Sequence, residues 1–228
     1  MHRYNYSEAR RILEELDLFY ESGFDVVYNV WKSETNPTEE DELVFCTRFI
    51  EGFRNRPSVR VSKETKTKPD RVIDQVISGR IRNITNEMLD DIRFAHKISM
   101  GAENIIGSIL EEYIHWALRQ YGWSICWGNC FKAVDLCSNG GKLIQIKNKS
   151  NTENSSSNKI RVGTEIQKWY RMNANTGNFC WDKLIQLTGC PKGTLSEDQF
   201  EGFARLLISR NHEALFVDEN ELQNFLKK

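Results

Sequence analysis

Apolar residues recur at helical spacing through the first half of the chain, which predicts a series of helices. One helix is expected over residues 7–21 and a second over 38–54, where Thr38 is a suitable N-cap and the acidic residues after it suit the positive end of the helix dipole. Residues 85–121 indicate a pair of helices, the second over 102–119, which ends at Gly122.

After Gly122 the pattern changes to alternation, which is typical of strands. Three short strands are expected at 123–127, 132–137 and 142–147, and Asn139-Gly140-Gly141 suits a tight turn between the last two. Helices are predicted at 164–172, 181–187, 196–210 and 219–226, with a possible strand at 213–217.

The composition is that of a soluble globular protein, with 228 residues that are 39% hydrophobic and 28% charged. We expect one compact unit with a helical N-terminal region (1–98) and a core (99–228). No apolar stretch reaches the length of a membrane span, and the first residues do not resemble a signal peptide. We therefore expect a cytoplasmic protein that has no membrane contact and whose six cysteines are free thiols.

Positive charge is concentrated locally although the formal net charge is only -1. Residues 54–82 contain nine basic and three acidic side chains, and this stretch either contacts phosphates or is a solvated connector. The polar tract 148–159 has too few apolar residues to pack, so it is either an inert loop or a recognition loop.

A possible site for phosphodiester chemistry lies on the predicted hairpin. Asp135 follows an apolar strand, and alternation places Gln145 and Lys147 on one face of the next strand. A carboxylate and an amide oxygen can hold Mg²⁺, while an ammonium group orients water. The alternative interpretation is a surface salt bridge between Asp135 and Lys147.

Two glutamates of the preceding helix extend this site. At 3.6 residues per turn Glu103 falls within the apolar face of residues 102–119 and Glu111 lies at its edge. A carboxylate on a buried face requires a partner, so each is either a member of an ion pair or a metal ligand.

The order of helix with Glu, strand, strand with Asp, glycine turn and strand with Gln-x-Lys resembles the PD-(D/E)xK nuclease superfamily. Residues 99–107, 110–114, 145–151, 153–157 and 163–171 further resemble the SinI and AvaII family of type II restriction endonucleases. The resemblance implies an α/β core, a small mixed sheet flanked by helices. It also implies a Mg²⁺-dependent homodimer that cuts double-stranded DNA at GGWCC with 5′-phosphate ends, and a cognate DNA methyltransferase acting on the same site.

The same resemblance assigns roles to individual residues. Glu111 lies eleven residues before Gly122, as the superfamily's helix glutamate does, and ranks above Glu103 and Glu112. The implied metal ligands are Asp135, Glu111, the side chain of Gln145 and the main-chain carbonyl of Ile146, while Lys147 orients or activates the water. Gln145 replaces the usual acid, which predicts weaker metal binding unless a carboxylate such as Glu111 compensates.

DNA contacts are expected on and around the polar tract, where amide, hydroxyl and basic side chains can reach phosphates and base edges. The candidates are Lys149, Asn151, Asn154, Ser155, Ser156, Lys159, Arg161, Lys168 and Arg171. Trp169 and Tyr170 are expected in the core rather than stacked on bases.

Two alternative functions remain open from the sequence. One is a structure-specific or repair nuclease on the same core. The other is a catalytically silent DNA-binding module, which Gln145 in place of an acid favours.

Overall fold

A computed structural model of the protein describes residues 3–64, 70–151 and 163–227. Its helices are α1 (Tyr6–Glu15), α2 (Phe19–Ser22), α3 (Phe24–Thr35), α4 (Glu39–Arg54), α5 (Arg71–Arg80), α6 (Asn86–Leu118), α7 (Trp181–Thr188), α8 (Glu197–Arg210) and α9 (Glu219–Leu226). Its strands are β1 (Trp123–Ile125), β2 (Leu136–Ser138), β3 (Leu143–Lys149) and β4 (Gln167–Met172), and short 3₁₀ helices include Trp127–Asn129 and His212–Ala214.

The N-terminal helices follow the predicted pattern with two differences. Thr38 caps α4 in a reciprocal capping box with Asp41, as its sequence predicts. The single helix expected over 7–21 is instead two, because Asp17 adopts a positive φ of 55° between α1 and α2. Helix α3 was missed, since it begins after Gly23 in the left-handed conformation and has no side-chain cap.

Helix α6 is one continuous helix of 33 residues, so the predicted helix pair was wrong. The expected break fell near Gly101, but this glycine is accommodated within the helix. A Cβ there would lie 2.8 Å from Cδ1 of Leu215, so the missing side chain allows a close contact with the C-terminal segment.

The described residues contain a mixed four-stranded sheet in the order β1-β2-β3-β4. Strands β1, β2 and β3 pair antiparallel, and β3 pairs parallel with β4. The expected α/β class, a small mixed sheet flanked by helices, is confirmed. The helix predicted over 164–172 was wrong, because β4 in this segment pairs with the adjacent strand β3. Helical periodicity does not anticipate such a contact between distant parts of the chain. The possible strand at 213–217 was also wrong, since its start lies in a 3₁₀ helix.

One hydrophobic cluster joins the helical N-terminal half to the sheet. It includes Phe24 and Phe49 from the first helices, Ile114 from α6, Leu136 from β2 and Trp169 from β4. Position 98 lies inside α6, and a division of the chain at that point remains a prediction. None of the described helices combines the length and apolar character needed to cross a membrane.

Candidate active site

The hairpin of β2 and β3 brings Asp135, Gln145 and Lys147 to one cleft. Asp135 directly precedes β2, and its main-chain N–H donates to the carbonyl of Ile144 at 3.0 Å. The N–H of Ile146 donates to Oδ2 of Asp135 at 2.7 Å, which fixes the orientation of the carboxylate. Burial raises the pKa of Asp135, while the Ile146 hydrogen bond and the charge of Lys147 oppose this shift.

Glu111 of α6 interacts electrostatically with Asp135 and Lys147 of this group. Glu111 and Asp135 both line a second cleft that adjoins the first. Burial and then the charge of Asp135 raise the pKa of Glu111 to about 8, and Lys147 acts in the opposite direction. Two carboxylates and one ammonium group therefore interact electrostatically at the position where the sequence predicts them.

The two other glutamates considered from sequence occupy different environments. Glu103 is exposed, so its predicted place within the apolar face was wrong; the next buried residue of α6 is Ile105. Glu112 is fully buried and accepts hydrogen bonds from Ser58 N at 3.0 Å and Trp116 Nε1 at 3.4 Å. Glu112 thus secures the neighbouring loop, and Glu111 is the glutamate that faces the cleft.

Two adjoining clefts meet at Asp135 and Asn129, with volumes of about 360 and 760 Å³. The smaller contains Glu111, and the larger contains Gln145 and Lys147. Part of the wall is formed where α4 packs backbone to backbone against the 3₁₀ helix Trp127–Asn129. A Cβ on Gly52 would lie 2.2 Å from the main-chain N of Gly128, so only glycine permits this approach.

The donor groups fit a hard divalent cation. Two carboxylates and an amide oxygen are the ligand types that Mg²⁺ prefers. Within the described ranges no group of three Cys, His, Asp or Glu side chains could hold a metal ion. A complete coordination shell at this site therefore requires neutral oxygen donors in addition to Glu111 and Asp135, and Gln145 and main-chain carbonyls are of this kind.

The pairing of β3 with β4 decides which basic residues share the face of the site. Gln145 pairs with Lys168 and Lys147 pairs with Tyr170, so Lys168 lies on the same face as Gln145 and Lys147. Lys149 is on this face by alternation along β3. Asn151 is exposed just after the strand.

Arg171 lies on the opposite face of β4, where its side chain is buried. Its guanidinium forms an ion pair with Glu197 and donates from Nε to Oδ1 of Asn148 at 2.8 Å. These contacts hold Arg171 inside the protein, so the expectation that it lies at the DNA surface is corrected. A helix would place Arg171 on the same face as Lys168, whereas a strand places the two residues on opposite faces. Asn154, Ser155, Ser156, Lys159 and Arg161 lie outside the described residues.

Several basic residues of the clefts were not identified individually from the sequence. Arg56 and Arg60 line the smaller cleft, and Arg48 and Lys132 line the larger one. Arg56 and Arg60 belong to the basic stretch 54–82, whose charge was the available signal. Their distance from the hairpin along the chain concealed their place beside it.

The chain is similar in sequence to a known protein family and to two known enzymes. The family model described as SinI restriction endonuclease matches residues 27–210, a range that contains the entire site. The chain is 34% identical over 179 residues to the type II restriction enzyme Eco47I of Escherichia coli, which covers 76% of this chain and 75% of that protein. It is 37% identical over 149 residues to the type II restriction enzyme SinI of Salmonella infantis, covering 63% and 64%.

Proposed function

The chain belongs to the SinI restriction endonuclease family, and we propose that it cleaves double-stranded DNA at GGWCC in a Mg²⁺-dependent reaction that leaves 5′-phosphate ends. Type II restriction enzymes are site-specific deoxyribonucleases, which defines the class of reaction. The observation that carries the proposal is the meeting of Glu111, Asp135, Gln145 and Lys147 at adjoining clefts. This arrangement supports the PD-(D/E)xK type of nuclease core.

The roles of the residues follow from their chemistry. Asp135 and Glu111 supply carboxylate oxygens to the cation, and the Gln145 side chain and the Ile146 carbonyl supply neutral oxygens. When bound, Mg²⁺ stabilises the negative charge that develops on the phosphate during hydrolysis. Lys147 holds the attacking water by donating a hydrogen bond to it and offsets the charge of the two carboxylates. The hydrogen bond from Ile146 keeps Asp135 in place before the cation binds.

Gln145 gives the site one negative charge fewer than an acidic residue would. Glu111 lines the same cleft as Asp135 and compensates, because each carboxylate raises the electrostatic attraction for a divalent cation. Burial and then the charge of Asp135 make the ionised form of Glu111 unfavourable without a cation, and its pKa is raised accordingly.

The DNA-contact surface is proposed to include Lys149, Asn151 and Lys168, which lie on or beside the face of the active site. The polar and basic residues Asn154, Ser155, Ser156, Lys159 and Arg161 remain part of this proposal from the sequence. Arg171 is left out, because its ion pair with Glu197 occupies it.

A homodimer is proposed because a two-fold DNA site is matched by a two-fold protein. Helix α5 has no buried residue and exposes Val72, Ile73 and Val76, and the first half of α6 exposes Met88 and Ile92. An ion pair between Asp74 and Arg93 at 2.6 Å connects the two helices. This exposed apolar surface of α5 and α6 supports a contact with a second copy. The cognate DNA methyltransferase would protect the same DNA sequence and need not bind the endonuclease.

The test is cleavage of unmethylated phage DNA by the purified protein in Mg²⁺, with an EDTA control and sequencing of the fragment ends. The proposal predicts discrete fragments whose 5′-phosphate ends lie at GGWCC, and none in EDTA. Discrete ends at another sequence would replace GGWCC. A smear, or cleavage only of branched DNA, would favour the structure-specific nuclease. The presence of Gln145 favours the silent module as second candidate, and binding without cleavage in Mg²⁺, Mn²⁺ and Co²⁺ would support it.

A further inference from the structure

Arg60 is a partly buried cation without an internal acceptor for its guanidinium Nε. It lines the smaller cleft together with Glu111 and Asp135. Its Nε, like that of Arg56, is buried and has no hydrogen-bond partner among the described residues. No acidic side chain of the described residues lies within ion-pair distance of it, and burial alone lowers the pKa of Arg60.

The loop that carries Arg60 is held from two sides. Nδ2 of Asn211 donates to the carbonyls of Pro57 and Arg60, both at 2.9 Å. On the other side the N–H of Ser58 donates to Oε2 of Glu112 at 3.0 Å. Because Glu112 is the neighbour of Glu111 on α6, the loop and the carboxylate of the site are fixed to the same turn of helix. Arg60 is thus attached to a rigid part of the cleft wall.

Arg56 of the same loop shows what an arginine with a structural role looks like here. Its Nε lies 3.6 Å from Oε1 of Glu112, and its Nη1 donates to the carbonyl of Phe53 at 2.8 Å. Its guanidinium also lies 4.1 Å from the centroid of the Phe53 ring. Arg60 has no corresponding contacts among the described residues. A partly buried charge without a counter-ion is unfavourable, and an anion from outside the protein would offset this cost.

We propose that Arg60 binds a phosphate of the DNA strand in the smaller cleft and so positions the scissile phosphodiester beside Asp135 and Glu111. The planar guanidinium can donate two parallel hydrogen bonds to phosphate oxygens. This inference rests on the proposed nuclease function and adds a DNA-binding residue to it. A phosphate also suits the cleft because its negative charge is balanced by Arg60 on one side and by the cation on the other.

The test compares Arg60→Gln and Arg60→Lys with the wild-type protein, with Arg11→Gln as a charge-matched control. Arg11 is exposed on α1 and forms only a long ion pair with Glu15 at 3.9 Å. Binding to a labelled duplex containing GGACC is measured in Ca²⁺ at several salt concentrations, and cleavage is measured in Mg²⁺. Urea unfolding of each variant without DNA reports its stability.

Arg60→Gln is expected to lower kcat/KM about tenfold to a hundredfold, as the loss of a charged hydrogen bond implies. It should also reduce the slope of log K against log salt by about 0.9, the value for one lost phosphate contact. Its urea midpoint should equal or exceed that of the wild type, because a partly buried charge without a counter-ion has been removed. Arg60→Lys should keep the salt slope but cleave more slowly, while Arg11→Gln should match the wild type in all three measurements.

An Arg60→Gln protein that cleaves and binds like the wild type would overturn the inference. So would a lowered urea midpoint with an unchanged salt slope, because that pattern identifies a structural arginine, and Arg56→Gln provides the reference for it. If the wild-type protein itself cleaves no DNA, the proposed function fails instead. The salt slope of binding then still decides whether Arg60 contacts a phosphate.

Discussion

Replacing Glu111 with Gln should make the metal-free protein more stable at neutral and alkaline pH while abolishing cleavage. Burial and the charge of Asp135 raise the pKa of Glu111 from 4.5 to about 8. A folded-state pKa above the unfolded value means that the folded protein binds more protons between these two pH values. The free energy of unfolding therefore falls as the pH rises from 4.5 to 8.

The magnitude follows from the size of the shift. Each pKa unit corresponds to about 1.4 kcal/mol, and pH 7 lies 2.5 units above the unfolded pKa of 4.5. The ionisation of Glu111 thus lowers the free energy of unfolding by roughly 3 kcal/mol at pH 7 in the absence of a cation. Gln has nearly the same shape and no charge, so Glu111→Gln should remove this cost.

The assay is urea unfolding of both proteins in EDTA at pH 5, 7 and 8.5. The stability advantage of Glu111→Gln should be small at pH 5 and reach roughly 3 kcal/mol at pH 7. Glu103→Gln, an exposed change on the same helix, should show no pH-dependent difference from the wild type. A gap between Glu111→Gln and the wild type that stays constant with pH, or a variant less stable than the wild type at pH 8.5, would refute the reasoning.

Three further predictions concern residues around the site. Glu112→Gln should lower the free energy of unfolding by about 3 kcal/mol, because it leaves Arg56 without its ion pair; a urea midpoint equal to that of the wild type would contradict this role. Lys168→Ala should weaken binding to a GGACC duplex in Ca²⁺ and reduce its salt slope by about one unit; unchanged affinity would remove Lys168 from the DNA surface. Val76→Asp should convert dimers to monomers in light scattering, since Val76 is 67% exposed on the apolar surface of α5 and α6; a variant that stays dimeric would place the dimer contact elsewhere.

The local part of the site was predictable from the sequence. Asp135, Gln145 and Lys147 belong to one hairpin, where a glycine turn and strict alternation determine which side chains share a face. The structure brings these three to one cleft. The identification of Glu111 also needed its spacing to Gly122, because the distance between Glu111 and the hairpin depends on how α6 packs on the sheet.

The parts of the fold that depend on distant contacts were not predictable in this way. Strand β4 pairs parallel with β3, and nothing local distinguishes its residues from an amphipathic helix. Arg171 was expected to contact DNA because it lies near the polar tract in the chain, whereas the strand buries it against Glu197. The importance of Arg60 depends on its place in the smaller cleft and on the lack of a hydrogen-bond partner for its Nε among the described residues, which a charge count along the chain cannot reveal.

The most direct test of the proposed site is single-turnover cleavage by the wild type, Asp135→Asn and Lys147→Ala, with duplex binding in Ca²⁺ measured in parallel. We predict that the wild type cuts GGACC in Mg²⁺. Both variants should remain folded and bind the duplex, but should cleave it at least about a thousandfold more slowly, since each lacks a group that acts on the cation or the water. Cleavage by either folded variant at the wild-type rate would contradict the assignment of this cleft as the active site.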